Sequence, residues 1–319
     1  MDISKSLMLE MYRRMVVIRE FELAAMDVFK RGLIKGTVHP YIGQEASGVG
    51  VCMALRPDDL VAGTHRSHGH NLAKGADPKK MMAEIFGKET GYCKGRGGSM
   101  HIAAFETGSL GALAVVGSGI PLAVGAALAF KMRGEDRVAV PFTGDGGSNT
   151  GNWHESLNMA SIWKLPVLFV LENNQYGVST RISEVVNIED LSIRSQAYGI
   201  PGLRVDGFDV LAVYAAAQEA VARCRRGAGP TLLLTESYRI EGHYAGEPEV
   251  YRTRAEVEEY RQKEPIGRFH KYLVENQIAN SSELDAIDAQ IKQEMAEAVQ
   301  FAKDSPAPDP STAMEFIYA

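Results

Sequence analysis

The spacing of apolar residues predicts a long helix over residues 5–31. Its apolar positions fall near one face at helical intervals: Leu7, Met11, Met15, Ile18 and Phe21. The same pattern predicts further helices over residues 43–55, 77–86 and 121–132, and a short buried strand over residues 60–63. Asp77-Pro78 suits the start of a helix, because aspartate caps free N–H groups and proline is tolerated in the first turn.

From residue 137 onward, short apolar runs alternate with helical segments. The predicted strands cover residues 138–142, 166–171, 203–205 and 231–235, and the predicted helices cover residues 150–163 and 209–225. This alternation predicts an α/β fold with a parallel sheet covered by helices on both faces. Pro141 lies inside the first of these strands, so an edge strand or a bulge is expected there.

Two regions lie outside this alternation. Residues 91–118 are rich in glycine and have little periodicity, which predicts a long functional loop, either ordered or mobile. After a polar loop, helices are predicted over residues 253–276 and 281–303. Since no repeat or linker interrupts the chain, we expect a single domain over residues 1–319, with helical extensions at about 1–35 and 253–303.

Composition excludes several classes of function. The formal net charge of −6 gives no global sign of binding to nucleic acid or to an anionic membrane. The cysteines Cys52, Cys93 and Cys224 have no short spacing, which disfavours a disulfide framework and a zinc site. No apolar run approaches the roughly 18 residues of a membrane span, and the first residues lack signal-peptide features, so a cytoplasmic chain is expected.

Polar residues follow two of the predicted strands where each one ends. Asp145 stands between Gly144 and Gly146-Gly147, directly after a strand and before a helix, and Asn174 follows the next strand. Each motif alone is common in turns, but Asn174 lies 29 positions after Asp145, and one strand–helix–strand unit connects them. Carboxylate, amide and carbonyl oxygens suit Mg²⁺, with Tyr176 as the carbonyl donor, and the helix N-terminus suits a phosphate.

Histidines and one arginine crowd into the segment that follows the strand at residues 60–63. This segment contains His65, Arg66, His68 and His70. Arginine binds phosphate oxygens in pairs, and histidine can change its charge near neutral pH, so both suit a catalytic site. A solvated basic turn is the alternative. His243 follows another strand and lies at the same predicted edge of the sheet.

Six motifs occur in an order that resembles a known family. They are Thr64–Gly69, Lys94–His101, Glu155–Ala160, Glu172–Gly177, Pro201–Gly207 and Tyr238–His243. Together with Gly144-Asp145-Gly146, they resemble the alpha subunit of the thiamine-diphosphate-dependent, decarboxylating component of 2-oxo acid dehydrogenase complexes. The Thr64–His70 segment and residues 81–88 look most similar to the acetoin dehydrogenase branch.

The resemblance implies a thiamine-diphosphate-binding fold and a role for each matching residue. Mg²⁺ would be held by Asp145, Asn174 and the carbonyl of Tyr176. The diphosphate end of the cofactor would meet Arg66, Gly146, Gly147 and His243, with His65 standing where many relatives have tyrosine. The aminopyrimidine would lie at Val116 with Ala114 beside it, and His68 would face the substrate as a catalytic residue together with His243.

The chain also departs from the family pattern. Leu113-Ala114-Val115-Val116 stands where relatives commonly have Asn-Gly-Ile-Val, and Glu241 and Glu247 replace other common residues near the entrance. The diphosphate ligands are intact, whereas the substrate remains open between acetoin, pyruvate and a branched-chain 2-oxo acid. The loop at residues 241–252 is predicted to be mobile without cofactor and ordered with it.

Thiamine diphosphate is activated by a carboxylate beside its aminopyrimidine ring, and no glutamate of this chain is a convincing candidate for that role. Glu155 is predicted in a helix next to the diphosphate end, and Glu172 precedes the predicted metal-binding turn. The resemblance therefore implies a beta subunit in an α₂β₂ assembly, a lipoyl acyltransferase as acceptor component, and a small carbonyl substrate. Two alternatives stay open. One is a split transketolase-like subunit that uses the cofactor without a lipoyl acceptor, and the other is a non-catalytic paralogue.

Overall fold

Six strands build the central sheet of the computed structural model, which describes residues 3–316. They are β1 (Leu60–Thr64), β2 (Ser109–Leu113), β3 (Ala139–Gly144), β4 (Leu168–Asn173), β7 (Gly202–Asp206) and β8 (Thr231–Glu236). All neighbouring pairs are parallel, and their order is β2-β1-β3-β4-β8-β7. A separate two-stranded antiparallel hairpin is formed by β5 (Tyr176–Gly177) and β6 (Thr180–Arg181).

Eleven α-helices are found among the described residues. They are α1 (Lys5–Lys30), α2 (Glu45–Met53), α3 (His68–Ala73), α4 (Pro78–Ile85), α5 (Gly119–Arg133), α6 (Gly151–Ile162), α7 (Ile182–Val185), α8 (Val210–Arg225), α9 (Arg254–Arg261), α10 (Pro265–Glu275) and α11 (Ser281–Asp304). None of the helices in the described part of the chain is long and apolar enough to cross a membrane.

The sheet is covered on both faces, as the sequence predicted. Along β4, Leu168 and Val170 belong to a core that includes buried residues of α1, α2 and α8, whereas Phe169 and Leu171 belong to a second core with α5 and α6. Side chains alternate between the two faces of a strand, so the four consecutive apolar residues of β4 supply both cores. The predicted α/β class is therefore confirmed, while the single-domain boundary stays a prediction.

Most predicted elements occur with small shifts at their ends, and three expectations were wrong. The glycine-rich stretch contains the edge strand β2, which is short and includes Gly111 in a left-handed conformation (φ 129°). The helix predicted over residues 253–276 is divided into α9 and α10, because Pro265 begins a new helix that Glu264 caps.

Pro141 lies in the interior of the sheet rather than at an edge. It is in β3, between β1 and β4, and its partner in β1 is Ala62. Pairing with the β4 side occurs at Ala139 and resumes only at Phe142. This gap in the ladder accommodates a residue that has no N–H to donate.

The strand order places a topological switch between β1 and β3. The chain moves from β1 outward to β2, then crosses back to β3 on the other side. In sheets of this kind, ligands bind in the crevice outside the carboxyl ends of the strands at the switch point. The fold therefore points to the region just after Thr64 and Gly144.

The two ends of the described chain pack together. α1 lies against α11, where the Tyr12 hydroxyl donates to Asp288 at 3.0 Å and Arg13 contacts Glu294 at 2.9 Å. These contacts join residues more than 270 positions apart in sequence. The N-terminal helix is thus part of the same packing unit as the last long helix.

A buried carboxylate orders the glycine-rich segment before β2. Glu84 of α4 is fully buried and accepts four backbone N–H groups at 2.7–3.1 Å, from Cys93, Gly95, Gly97 and Gly98. Because a single side chain satisfies four amides, the segment is held without secondary structure of its own.

We predict that Glu84→Ala lowers the free energy of unfolding by about 3 kcal/mol or more, since it leaves four buried amides without their acceptor. Urea denaturation monitored by circular dichroism measures this. The control is Glu106→Ala, which removes an exposed carboxylate paired with Lys80 and is expected to change stability by less than about 0.5 kcal/mol. Equal losses in both variants would show that the segment does not depend on Glu84.

Candidate functional site

A cavity of about 430 Å³ opens at the switch point of the sheet. Thr64, Gly144 and Glu172 line it, so the carboxyl ends of β1, β3 and β4 form its floor. Every residue that the sequence predicted to bind cofactor or metal also lines it: His65, Arg66, Ala114, Val116, Asp145, Gly146, Gly147, Asn174, Tyr176 and His243. Their roles stay predictions, but the fold brings them together.

Asp145 presents a carboxylate that the protein itself does not satisfy. Its side chain is buried, and its Oδ2 atom has no hydrogen-bond partner among residues 3–316. Burial raises the pKa of Asp145 to about 6, against the lowering effects of backbone hydrogen bonds and of Arg239 and Arg66. A buried carboxylate oxygen without a partner is costly, and a bound cation would remove that cost.

The second oxygen donor is held in a tight turn after β4. Asn174 donates through Nδ2 to Gln44 Oε1 at 3.1 Å and accepts the Tyr176 N–H at 3.3 Å. The amide oxygen of Asn174 is therefore oriented by two fixed neighbours. In the same turn Gln175 has a left-handed backbone (φ 76°), which few residue types adopt readily.

Arg239 holds the rest of this turn in place. Its buried guanidinium donates to the carbonyl of Tyr176 at 3.1 Å and to the carbonyl of Val178 at 2.7 Å, and it also contacts the Tyr251 hydroxyl. A carbonyl oxygen has two lone pairs, so Tyr176 can accept from Arg239 and still face a metal. Arg239 belongs to the motif Tyr238–His243, but the sequence alone did not predict that it holds this turn.

The glycines after Asp145 leave room for close approach of a ligand. A Cβ atom at Gly147 would lie 2.3 Å from Thr143 Oγ1 and 3.2 Å from Val116 Cγ1, so a larger residue does not fit. Gly146 begins a short 3₁₀ turn over residues 146–149, and α6 follows at Gly151. The first backbone N–H groups of α6 have no acceptor within the helix, and such groups suit a phosphate.

Arg66 is the main positive charge at the cavity wall. It is buried, donates to the carbonyl of Pro40 at 2.7 Å, and lies 3.2 Å from both the carbonyl and Nδ1 of His243. Burial, followed by the charge of Arg239, lowers the pKa of Arg66 to about 9. A guanidinium in this setting gains from an anionic ligand that replaces its lost hydration.

Three imidazole rings meet above Arg66. The centroids of His39 and His65 are 4.8 Å apart, and those of His39 and His243 are 4.9 Å apart. Burial, with Arg66 as the next cause, lowers the pKa values of His39 and His243 to about 3 and that of His65 to about 2. All three rings are therefore uncharged at neutral pH. His39 was missed by the sequence, because it stands in a segment without any motif.

His68 does not reach the cavity, which corrects the expectation that it faces the substrate. It is fully buried, with Nδ1 3.0 Å from Glu22 Oε2 and Nε2 3.0 Å from Ser99 Oγ. Both ring nitrogens are thus used to join α1 to the glycine-rich segment. The sequence grouped His68 with Arg66 by proximity, but α3 begins at His68 and its side chain lies away from the cavity.

Glu172 is the single glutamate among the described residues that line the cavity. Its carboxylate accepts the Ser47 hydroxyl at 2.8 Å, lies 3.0 Å from His70 Nε2, and also contacts the Tyr41 hydroxyl. These partners hold it in the wall. Glu155 lies on α6 and does not line the cavity.

The altered segment before α5 forms one side of the cavity mouth. Ala114 and Val116 line the cavity, and Val115 is 71% exposed. An apolar surface of this kind suits contact with a planar ligand ring or with a second protein chain.

The unfolding equilibrium is expected to report the burial of Asp145. Between about pH 4 and pH 6 the folded chain binds a proton that the unfolded chain has lost, so stability falls as pH rises through this window. Asp145→Asn is therefore expected to raise the free energy of unfolding by up to about 3 kcal/mol at pH 8, by about half as much near pH 5, and by much less below pH 4.

Urea titrations in metal-free buffer at several pH values measure this difference. The control is Asp27→Asn, an exposed aspartate that pairs with Arg31 and is expected to change stability little at any pH. A gain from Asp145→Asn that does not depend on pH would contradict the assignment.

Comparison with known proteins agrees with the geometry. A family model described as "Dehydrogenase E1 component" matches residues 13–311. The chain is 46% identical over 309 residues to the alpha subunit of acetoin:2,6-dichlorophenolindophenol oxidoreductase from Bacillus subtilis, covering 97% of this chain and 92% of that protein. The corresponding Cupriavidus necator subunit is 43% identical over 319 residues, covering 100% of this chain and 96% of that protein.

A pyruvate dehydrogenase E1 component subunit alpha from Rhizobium meliloti is 42% identical over 311 residues, covering 97% of this chain and 89% of that protein. The resemblance inferred from the six motifs is confirmed, including its leaning toward the acetoin branch. This chain belongs to the dehydrogenase E1 component family, as one of its alpha-type chains.

Proposed function

We propose that the chain is the alpha subunit of a thiamine-diphosphate- and Mg²⁺-dependent dehydrogenase that cleaves acetoin, with pyruvate as the second candidate substrate. The observation that carries the proposal is the unpartnered Oδ2 atom of Asp145 at the switch point, beside the amide of Asn174 and below Arg66. An acidic oxygen set next to a positive anion-binding wall fits a metal-bound diphosphate.

The residues present fit both parts of this ligand. Mg²⁺ would take Asp145, Asn174 and the Tyr176 carbonyl, and complete its shell with water and phosphate oxygens. The diphosphate would accept from Arg66 and from the backbone at Gly146 and Gly147, with His65 and His243 beside it. Ala114 and Val116 would carry the aminopyrimidine ring. When bound, thiamine diphosphate supplies an electron sink for cleaving a bond next to a carbonyl group.

The protein's own contribution is to bind, orient and handle protons. Arg239 fixes the turn that presents Tyr176, so the carbonyl oxygen that would face the metal is positioned before ligand binds. His243 is the candidate for proton transfer in this chain. Burial, followed by Arg66, lowers the pKa of His243, and the negative charge of a neighbouring diphosphate would shift that pKa upward.

A second subunit is part of the proposal. The single cavity-lining glutamate in the described chain, Glu172, is engaged by three neighbours, so a carboxylate that activates the cofactor has to come from another chain. We infer a beta subunit in an α₂β₂ assembly. The relatives are named as alpha subunits, which supports this inference. A lipoyl acyltransferase component is the proposed acceptor of the acyl group.

Acetoin is proposed as the substrate because of the relatives to which the chain is similar in sequence. Two relatives at 46% and 43% identity are named acetoin oxidoreductase subunits, and one at 42% is named for pyruvate. Because these sequence identities differ little, pyruvate is kept as the alternative substrate.

The decisive test uses the chain co-expressed with the beta subunit that the proposal requires. We expect reduction of 2,6-dichlorophenolindophenol with acetoin, dependent on thiamine diphosphate and Mg²⁺, and slower reduction with pyruvate. Asp145→Ala is expected to weaken cofactor binding by more than about 100-fold in calorimetry, because a buried metal ligand is lost. Glu155→Gln, which changes a nearby carboxylate outside the cavity, serves as the control.

Two results would count against the proposal. If Asp145→Ala and the unmodified chain bind thiamine diphosphate alike, the site is misassigned. If the complex reduces the dye with neither substrate although the cofactor is bound, the activity is misassigned. Transfer to added lipoyl domain separates the dehydrogenase from a transketolase-like enzyme.

The loop at residues 241–252 gives a separate prediction. Glu247 accepts the Tyr251 hydroxyl at 2.9 Å and also contacts the His243 N–H, while Val250 is 88% exposed. Few apolar contacts hold the segment, so it is expected to order when His243 meets ligand.

Cleavage by a glutamate-specific protease after Glu249 is expected to slow at least severalfold when thiamine diphosphate and Mg²⁺ are present in the α–β complex. Cleavage after the exposed Glu315 is the internal control, since it lies outside the loop and outside the cavity wall. Equal rates with and without cofactor would contradict the ordering of the loop.

A further inference from the structure

The three imidazoles of the cavity are not fully explained by a diphosphate site. His39, His65 and His243 each offer a ring nitrogen, and these nitrogens all lie within 4.8 Å of one another. They come from three separate segments, before α2, after β1 and after β8. The side chain of His39 is more than nine-tenths buried, and its Nδ1 atom has no hydrogen-bond partner among residues 3–316.

We propose that His39, His65 and His243 form a site for a divalent transition-metal cation of the Zn²⁺ class, separate from the oxygen-donor Mg²⁺ site at Asp145. The inference goes beyond the proposed function and relates to it only through the shared cavity. It assigns a second metal of different chemistry to residues that would otherwise contact the cofactor.

The geometry and the donor chemistry both favour this class of metal. Zn²⁺ binds imidazole nitrogens at about 2.0–2.1 Å and is commonly held by three histidines with water in the fourth position. Nitrogens within 4.8 Å of one another reach that arrangement by side-chain rotation, and His65 and His243 are only partly buried. Imidazole ligands suit Zn²⁺ and its neighbours, whereas Mg²⁺ selects oxygen.

The three imidazole rings are also in the uncharged state that metal binding requires. An imidazole has to be unprotonated to bind a metal, and the cavity keeps these three rings uncharged through burial and the nearby Arg66. Arg66 is the opposing factor, since its guanidinium lies 3.2 Å from Nδ1 of His243. Metal binding must displace that contact, so Arg66 has to move away from the His243 ring when the cation binds.

His65 is the residue that completes the set. His39 and His243 alone provide two nitrogens, which hold a zinc-class cation weakly in water. The segment Thr64-His65-Arg66 places the third ring 4.8 Å from His39 and 5.4 Å from His243, measured between centroids. Chains with tyrosine at this position lack the third nitrogen.

The test titrates the full-length chain with Zn²⁺ by calorimetry and with Co²⁺ by visible absorption. We expect one cation per chain and the absorption bands of tetrahedral Co²⁺. His39→Gln and His65→Gln are each expected to weaken binding by more than about 100-fold, because even groups outside the first coordination shell contribute about 10–100-fold. His101→Gln, which changes an exposed histidine outside the cavity, is expected to bind normally. Circular dichroism establishes that each variant is folded.

Further arms separate this inference from the proposed function. Asp145→Asn is expected to keep Zn²⁺ binding while losing Mg²⁺-dependent binding of thiamine diphosphate in the α–β complex. Thiamine diphosphate with Mg²⁺ is expected to lower the occupancy of Zn²⁺ in that complex. Absence of stoichiometric Zn²⁺ binding, or binding unaffected by both His39→Gln and His65→Gln, overturns the metal site and leaves the cofactor proposal intact. If the unmodified complex does not bind thiamine diphosphate, the proposed function is overturned and the zinc-class site is left intact.

Discussion

Parallel hydrogen bonding between β1, β3 and β4 fixes the position of every polar group at the cavity floor. Residues Phe142 to Gly144 pair in register with Val170 to Glu172, so both strands end at the same level. The loops that leave these ends carry Asp145 and Asn174, and they cannot move apart without breaking the ladder. The turn held by Arg239 and the wall formed by Arg66 are built on this edge.

The electrostatics of the cavity work against the stability of the unliganded chain. Two buried guanidinium groups, Arg66 and Arg239, and a buried carboxylate, Asp145, have all lost hydration, and their pKa values shift toward the neutral forms. A metal and an anion together reverse each of these costs. Ligand binding to the folded state alone is then a source of stability as well as of function.

The sequence predicted the fold class, most elements and the main cavity residues, because these follow from local periodicity and from motifs at strand ends. The predictions failed where the structure depends on strand pairing or on tertiary contacts between residues distant in sequence. Pro141 indicates an irregular ladder, but nothing near it in the sequence indicates that its strand lies between β1 and β4. His39 and Arg239 enter the site through tertiary contacts, and His68 leaves it because Glu22 and Ser99 engage both ring nitrogens. The strand β2 was hidden among glycines.

The packing of α1 against α11 has a consequence for the synthesis of the protein. Tyr12 and Asp288 are 276 residues apart, so at translation rates of about 5–20 residues per second α1 waits roughly 14 to 55 seconds for its partner. During that interval the side of α1 that packs against α11 has no final cover. The nascent chain therefore exposes apolar surface of the kind that chaperones bind, and a product truncated before α11 would keep that surface of its first helix exposed.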